Sequence, residues 1–213
     1  MVKLRIRQHV NPLARKYQTS PNTPDWNLVY LNSQRPLHLD IGCARGEFLL
    51  EMAKLILDVN FLGVEIRSPL VVNANLERDR SGLTHLHYLY GNINSSIETI
   101  LKSLPAQVLQ YVTIQFPDPW FKNKHRKRRV VRSELVDTLA KYLVPGGIVF
   151  IQSDVEFLAT QIHHCFSSHP SFQLTHKNTW LGTNPLPVST EREIYSMVRN
   201  KTIYRAVFAK KIS

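Results

Sequence analysis

From residue 36 onward the chain switches between two rhythms of apolar and polar positions. PLHLDIG (36–42), NFLGVEI (60–66), LHYLYGN (86–92), QYVTIQFP (110–117) and IVFIQSD (148–154) are short apolar runs of strand length. Helical spacing fills the gaps between them. In RGEFLLEMAKLI (45–56), Phe48, Leu49, Met52, Ala53 and Ile56 fall on one side. Ser68-Pro69 is a helix start, a capping residue followed by an imino acid whose missing N–H costs nothing there, and that helix runs to about Arg80. INSSIETILKSL (93–104), Arg132 to Leu143 and FLATQIHHCF (157–166) are further helices, the second stopped by Pro145-Gly146-Gly147. FQLTHKN (172–178) and KTIYRAVFAKK (201–211) are late strands with no long helix between them. Before all this, Pro12, Pro21, Pro24 and Pro36 punctuate a polar stretch. The pattern predicts an irregular basic arm over residues 1–35 and one α/β domain over 36–213.

Strands alternating with helices imply βαβ units, a parallel sheet and right-handed crossovers. The last two strands, lacking a crossover helix, are expected as antiparallel neighbours or edge strands. There is no internal repeat.

Composition narrows the partners. The 213 residues suit one substantial domain, and 43% hydrophobic residues can bury a core. Twenty-seven Lys and Arg against 16 Asp and Glu leave a net charge of +11, which attracts polyanions, nucleic acid first among them. No apolar run approaches the ~20 residues of a membrane span, and MVKLRIRQHVNPLARK lacks the apolar stretch of a secretory signal. Cys43 and Cys165 stand alone, which suggests a reducing, cytoplasmic setting. The nine histidines are scattered, so no metal is expected.

Ligands of an open parallel sheet bind beyond the carboxyl ends of its strands. Those ends carry Asp40 with Gly42 and Gly46, then Glu65, Asn92, Asp118 and Asp154. In DIGCARG, Gly42 lets backbone approach a ligand, or simply makes a tight strand-to-helix turn. Ala44 and Glu47 stand where a dinucleotide GxGxxG would need glycines, and Asp40 would repel a pyrophosphate. Glu65 is placed to accept from both hydroxyls of a ribose, or else it favours a helix start. Asn92 receives an adenine edge or makes a turn. Together these residues form a nucleoside cradle without phosphate-binding features, which suits S-adenosylmethionine.

The stretch FPDPWFKNKHRKRR (116–129) is the most unusual: a rigid acidic corner, two aromatics and a dense cationic run. With DIGCARGEF, GVEI, GNI, LVPGGIVFIQSD, STEREIY and the early RIRQHVNPL, it resembles the tRNA (guanine-N7-)-methyltransferases over about residues 5 to 210. The resemblance implies a class I methyltransferase Rossmann-like fold: a mostly parallel seven-stranded sheet, helices on both faces and a reversed final strand. It implies that Asp40, Glu65, Asn92 and Asp118 contact S-adenosylmethionine. Lys122, Asp154 and the stretch Thr190, Glu191, Arg192, Glu193 would meet the substrate. Lys124, His125, Arg126, Lys127, Arg128 and Arg129 would touch tRNA, whose usual target in the family is the guanine at position 46 of the variable loop. A monomer or homodimer is expected, with no accessory subunit. Two positions depart from the family pattern: Ala44 replaces the middle glycine of the first turn, and Arg192 stands where an aromatic is common.

The chemistry so implied needs little acid–base work. Guanine N7 offers an in-plane lone pair and no proton at neutral pH. The enzyme has mainly to align the reactants and to place fixed negative charge beside the migrating cation. Asp118 is the candidate, its φ neighbours set by Pro117 and Pro119. Trp120 and Phe121 stack on the base or near the cofactor, or anchor the core. Six cationic contacts to phosphate would give a log–log salt slope of roughly −4 to −5, and Lys122 suits guanine O6. Duplex RNA hides N7 in a deep groove, so the base must lie in a loop or be drawn out. Arg5, Arg7, His9, Arg15 and Lys16 extend the basic surface or close over the site. Asp154 meets substrate or caps the helix after Val155. Thr190, Glu191 and Glu193 accept from guanine N1–H and its amine, or the carboxylates pair with Arg199 or Arg205. The alternatives are another RNA methyltransferase, or a non-catalytic RNA-binding protein on the same fold. An oxidoreductase is disfavoured by the first turn.

Overall fold

The computed structural model describes residues 10–212, so Arg5, Arg7 and His9 lie outside the described residues. Seven strands make one sheet: β1 (Leu37–Ile41), β2 (Asn60–Glu65), β3 (Leu86–Tyr90), β4 (Leu109–Gln115), β5 (Ile148–Ser153), β6 (Phe172–Leu174) and β7 (Tyr204–Lys210). Their order is β3-β2-β1-β4-β5-β7-β6. Strands β1 to β5 pair in parallel, while β7 runs antiparallel to both β5 and β6. The mostly parallel seven-stranded sheet with a reversed last strand is thus as expected.

The helices are α1 (Trp26–Val29), α2 (Glu47–Leu55), α3 (Ser68–Arg80), α4 (Ile93–Ser103), α5 (Ser133–Tyr142), α6 (Glu156–Ser167) and α7 (Glu191–Val198), with 3-10 turns at Arg15–Tyr17 and Asn123–Arg128. Every residue of β1 and β2 is buried, the mark of strands covered on both faces. Alternation sorts their side chains. Leu62, Val64 and Leu89 join the apolar residues of α4, α5 and α6 in one cluster; Phe61, Leu86 and Tyr88 join those of α2 and α3 in another.

Two elements differ from the sequence reading. The stretch 1–35 is not irregular throughout. Asp25 caps α1 by accepting from the Asn27 N–H, and Trp26 and Tyr30 are buried in the core. Their polar tips are satisfied there: Trp26 Nε1 donates to Ser103 Oγ (2.9 Å) and the Tyr30 hydroxyl to the Phe61 carbonyl (3.0 Å). The second difference is α7, a two-turn helix between the late strands. Among the described residues no helix is long and apolar enough to cross a membrane, and no group of three or more His, Cys, Asp or Glu is placed to hold a metal ion.

Candidate active site

A cavity of about 560 Å³ opens at the carboxyl end of the sheet, beside β1 and β4 where the strand order reverses. Its floor comes from the first turn. Gly42, Ala44 and Gly46 have φ of +79°, +51° and +81°. At Gly46 only glycine fits, because a Cβ there would lie 2.5 Å from the Tyr88 ring. Ala44 takes the left-handed conformation without glycine's freedom, a local strain. Its N–H is turned onto Glu65 Oε2 (3.1 Å).

Asp40, at the end of β1, is buried and accepts from the Thr113 hydroxyl at 2.6 Å. Thr113 Oγ1 lies 3.1 Å from His38 Nε2. With the hydroxyl proton on Asp40, that oxygen accepts from the imidazole. Burial keeps His38 neutral, its pKa lowered to about 3, so its ring proton sits on Nε2. Burial also pushes the Asp40 carboxyl up to about 6, against the pull of the Thr113 hydrogen bond and with the charge of Glu65 adding to it. His38 and Thr113 carry no signal in the sequence beyond being polar residues in apolar strands.

Glu65 is buried at the end of β2. Its Oε1 accepts from the Arg67 N–H (3.0 Å) and Nε (2.8 Å); its Oε2 accepts from Ala44 N–H (3.1 Å) and Arg67 Nη2 (3.0 Å). That fills the four acceptor sites of a carboxylate. The hydrogen bonds to Glu65 hold the Arg67 pKa above its ordinary value against the effect of burial, and the negative charge of Asp118 adds to this. Arg67 was missed by the sequence reading, since an Arg after a strand end looks like any surface residue.

Asn92 lines the cavity but its side chain is engaged. Its amide donates to the Pro12 (2.9 Å) and Tyr17 (3.0 Å) carbonyls, and its oxygen caps α4 through Asn94 N–H (3.2 Å). Residues 10–18 are thereby seated beside the cavity, with Val10 and Pro12 in its wall.

Asp118 lines the far wall together with Pro117, Pro119 and Phe121. The corner that carries it is bracketed by two more left-handed residues, Phe116 (φ +47°) and Trp120 (φ +44°). Bulky residues seldom sit there, and such strain gathers at functional sites. Phe116 N–H is tied to the Gln152 carbonyl at 2.8 Å. Phe121 is 69% exposed and rests against Phe157, ring centroids 5.6 Å apart. Trp120 is half-buried, with Arg128 over its ring and the His125 edge against it.

The basic run divides. Lys122, Lys124, Arg126 and Lys127 are exposed on or beside the 3-10 turn, and His125 and Arg128 are half-buried beside Trp120. Of the residues from 122 to 129, the cavity wall includes Arg128. Arg129 does not share that surface. It is 8% exposed, and its guanidinium donates to the carbonyls of Pro119 (3.0 Å) and Trp120 (3.2 Å) and to Gln161 Oε1. Unlike the exposed cations expected with it to touch RNA, Arg129 directs its charge inward.

On the opposite rim, Thr190 caps α7 by accepting from Glu193 N–H (3.1 Å). Thr190, Glu191 and Arg192 line the cavity. Glu191 stands beside Glu47, whose pKa is raised by burial and by the Glu191 carboxyl, and 3.6 Å from Arg45. In the sequence Glu47 stood out only as a departure from a dinucleotide-binding turn, and Arg45 not at all. Glu193 is 1% exposed: Oε1 accepts from Arg205 Nη2 (2.7 Å), and Oε2 from Asn184 (2.8 Å) and Gln152 (3.2 Å). Of the two readings of this carboxylate, the pairing with Arg205 is present in the structure. Asp154 likewise holds α7, accepting from Arg192 (2.7 Å), Ser196 (3.1 Å) and Lys201 (3.4 Å). Burial opposes its ionisation, but these partners hold its pKa below the ordinary value.

Residues 34–206 match the family model Methyltransf_4, described as "Putative methyltransferase". The chain is 54% identical over 207 residues to the tRNA (guanine-N(7)-)-methyltransferase of Trichormus variabilis, covering 97% of this chain and 96% of that one. It is 54% identical over 208 residues to that of Microcystis aeruginosa (98% and 99%) and 53% over 210 residues to that of Synechocystis (99% and 99%). Among solved structures, it is similar to a methyltransferase from Pyrococcus furiosus (TM-score 0.54, 16% identity, 84% of this chain and 78% of that one). An rRNA methylase from Streptococcus thermophilus is comparable (TM-score 0.53, 9% identity, 84% and 89%). At these identities the structural likeness speaks for the fold alone.

Proposed function

The chain belongs to the tRNA (guanine-N(7)-)-methyltransferase family, and we propose that the cavity beside β1 and β4 is where it methylates N7 of a tRNA guanine, with Asp118 as the fixed anion beside the migrating charge. The observation that carries this reading is a single one. Asp40, Glu65 and Asp118 come from three strand ends into one cavity, next to an exposed cationic turn.

S-adenosylmethionine, the family's methyl donor, supplies an electrophilic methyl group on a sulfonium cation. The residues present fit it: two buried carboxylates face the cavity at the first turn, where a diphosphate would be repelled. Asp40, aimed by Thr113, would hold the cationic amino-acid end. Glu65 takes ribose hydroxyls only by releasing Arg67, because its acceptor sites are full. Asn92 acts through the backbone it pins at Pro12 and Tyr17, more than through a free amide.

No side chain has to remove a proton, since the N7 lone pair is already available. Asp118 contributes by position: it is fixed between two prolines, and a preorganised charge needs no rearrangement at the moment of transfer. Glu191, with Glu47 at its side, accepts from the guanine N1–H and amine across the cavity. Exposed Phe121 supplies a face on which a base drawn out of its stack can rest. Lys122 to Arg128 grip the surrounding phosphates. The variable-loop guanine at position 46 is the assigned target. Two unpaired cysteines support a reducing, cytoplasmic setting for the reaction.

The test is incubation of the purified protein alone with labelled S-adenosylmethionine and unmodified tRNA, followed by chemical cleavage at 7-methylguanosine. Label at a single variable-loop guanine is the expected result. Label on another base, or no transfer, would overturn the reading.

A further inference from the structure

We propose that Arg129 is a positioning residue, which holds the Asp118 carboxylate in place by clamping the backbone of the corner after it, and that it makes no phosphate contact. The inference rests on the reaction assigned above. It departs from the sequence pattern, in which Arg129 is one more cation in a run.

Three nitrogens of the guanidinium have acceptors inside the protein. Nε donates to the Pro119 carbonyl at 3.0 Å, Nη2 to the Trp120 carbonyl at 3.2 Å, and Nη1 to Gln161 Oε1 on α6. The guanidinium carbon lies 5.1 Å from the centre of the Phe157 ring, which covers one face. Its backbone is fixed as well: its N–H closes the 3-10 turn on the Arg126 carbonyl (3.1 Å), and its carbonyl accepts from Asn94 (3.1 Å). The turn leaves Lys124, Arg126 and Lys127 exposed and sends Arg129 inward.

The corner needs such a clamp. Phe116 and Trp120 hold left-handed conformations that a non-glycine residue keeps only when its surroundings over-determine them. The Gln152 carbonyl pins the entry at Phe116, and Arg129 pins the exit at Pro119 and Trp120. Asp118 lies between those two anchors. A planar fork spreads its donors over three nitrogens and so spans two successive carbonyls and a side-chain amide, whereas the three donors of a lysine radiate from one compact ammonium that does not span them. In a reaction governed by alignment, a misplacement of about 1 Å costs on the order of 100-fold in rate.

Full-length wild type, Arg129→Lys and Gln161→Leu are compared with tRNA and S-adenosylmethionine. In Arg129→Lys, kcat is expected to fall by about 10- to 100-fold, and in Gln161→Leu by less. The tRNA KM and the salt slope of RNA binding should stay within about twofold of wild type in both. Amides of residues 116–121 should exchange faster with deuterium in both. A raised tRNA KM with a shallower salt slope at unchanged kcat in Arg129→Lys would assign Arg129 to phosphate and overturn the proposal. Unchanged exchange across the corner would overturn it too. Should Arg129→Lys not fold, Gln161→Leu decides by the same criteria. A wild type that transfers no methyl to tRNA would overturn the reaction instead, and the exchange comparison would still decide the role of Arg129.

Discussion

Asp40 and Asp118 line one cavity in different surroundings, and their expected behaviour differs accordingly. Asp40 is buried, with its carboxyl pushed up to about 6, whereas an unfolded chain releases that proton near about 4. Between those values the native state keeps a proton that the unfolded state has lost, so this group's contribution to stability falls as pH rises through the window. A cationic ligand reverses the preference by favouring the ionised form. Affinity for S-adenosylhomocysteine, which shares the cationic amino-acid end, should therefore rise as pH increases from about 5 and level off above about 7. Asp40→Asn should bind more weakly and with a flat profile over that range; a rise that survives the substitution would assign the titration elsewhere. In the proposed mechanism Asp118 contributes through its fixed place. Asp118→Ala should lower kcat by about 100- to 1000-fold, as loss of a preorganised electrostatic partner does, while RNA affinity measured by filter binding persists. Normal turnover would remove Asp118 from the mechanism.

At the scale of elements, what could be read from the chain depended on whether apolar residues faced inward. β1 and β2 are buried on both faces and stand out as apolar runs, and α4 shows Ile93, Ile97, Ile100 and Leu101 at helical spacing. Their strand ends then pointed to Asp40 and Glu65, while Asp118, beyond β4, stood out by the two prolines around it. α7 was illegible for the opposite reason. Its buried residues are Glu193 and Ser196, while Ile194, Met197 and Val198 face outward. Periodicity of apolar residues cannot find a helix that docks by its polar face. What docks it is the buried pair of Glu193 with Arg205 and the bonds from Arg192, Ser196 and Lys201 to Asp154. The inward course of Arg129 was hidden likewise, because nothing local separates the sixth cation of a run from the other five. Glu193→Gln should destabilise the protein by roughly 3–5 kcal/mol, since it leaves Arg205 buried without its counter-charge. Urea unfolding measures this. Lost activity at unchanged stability would show instead that the carboxylate meets the substrate directly.

At the scale of the whole molecule, the net charge of +11 acts before any contact is made. A positive field draws in a polyanion of any sequence and speeds encounter at low salt. It selects no base, so specificity has to come from the cavity and its rim. On the proposed reading the two tasks fall to separable parts: cations of the exposed turn would bind phosphate, while the carboxylates lining the cavity would face the donor and the base. Carboxylates beside an RNA site reduce affinity, and Glu47 with Glu191 would be a liability on a surface meant only for phosphate. Their presence fits a cavity that admits one base edge and excludes the backbone. Each phosphate contact releases about 0.7 to 0.9 counterions. Replacing Lys124, Arg126 and Lys127 together by Gln should make the log–log salt slope of tRNA binding shallower by about 2 to 3 units and raise the tRNA KM. Affinity for S-adenosylhomocysteine should stay at its wild-type value, since no donor-facing carboxylate is touched. An unchanged slope would mean that the tRNA approaches over another face, and the division of labour between turn and cavity would fail with it.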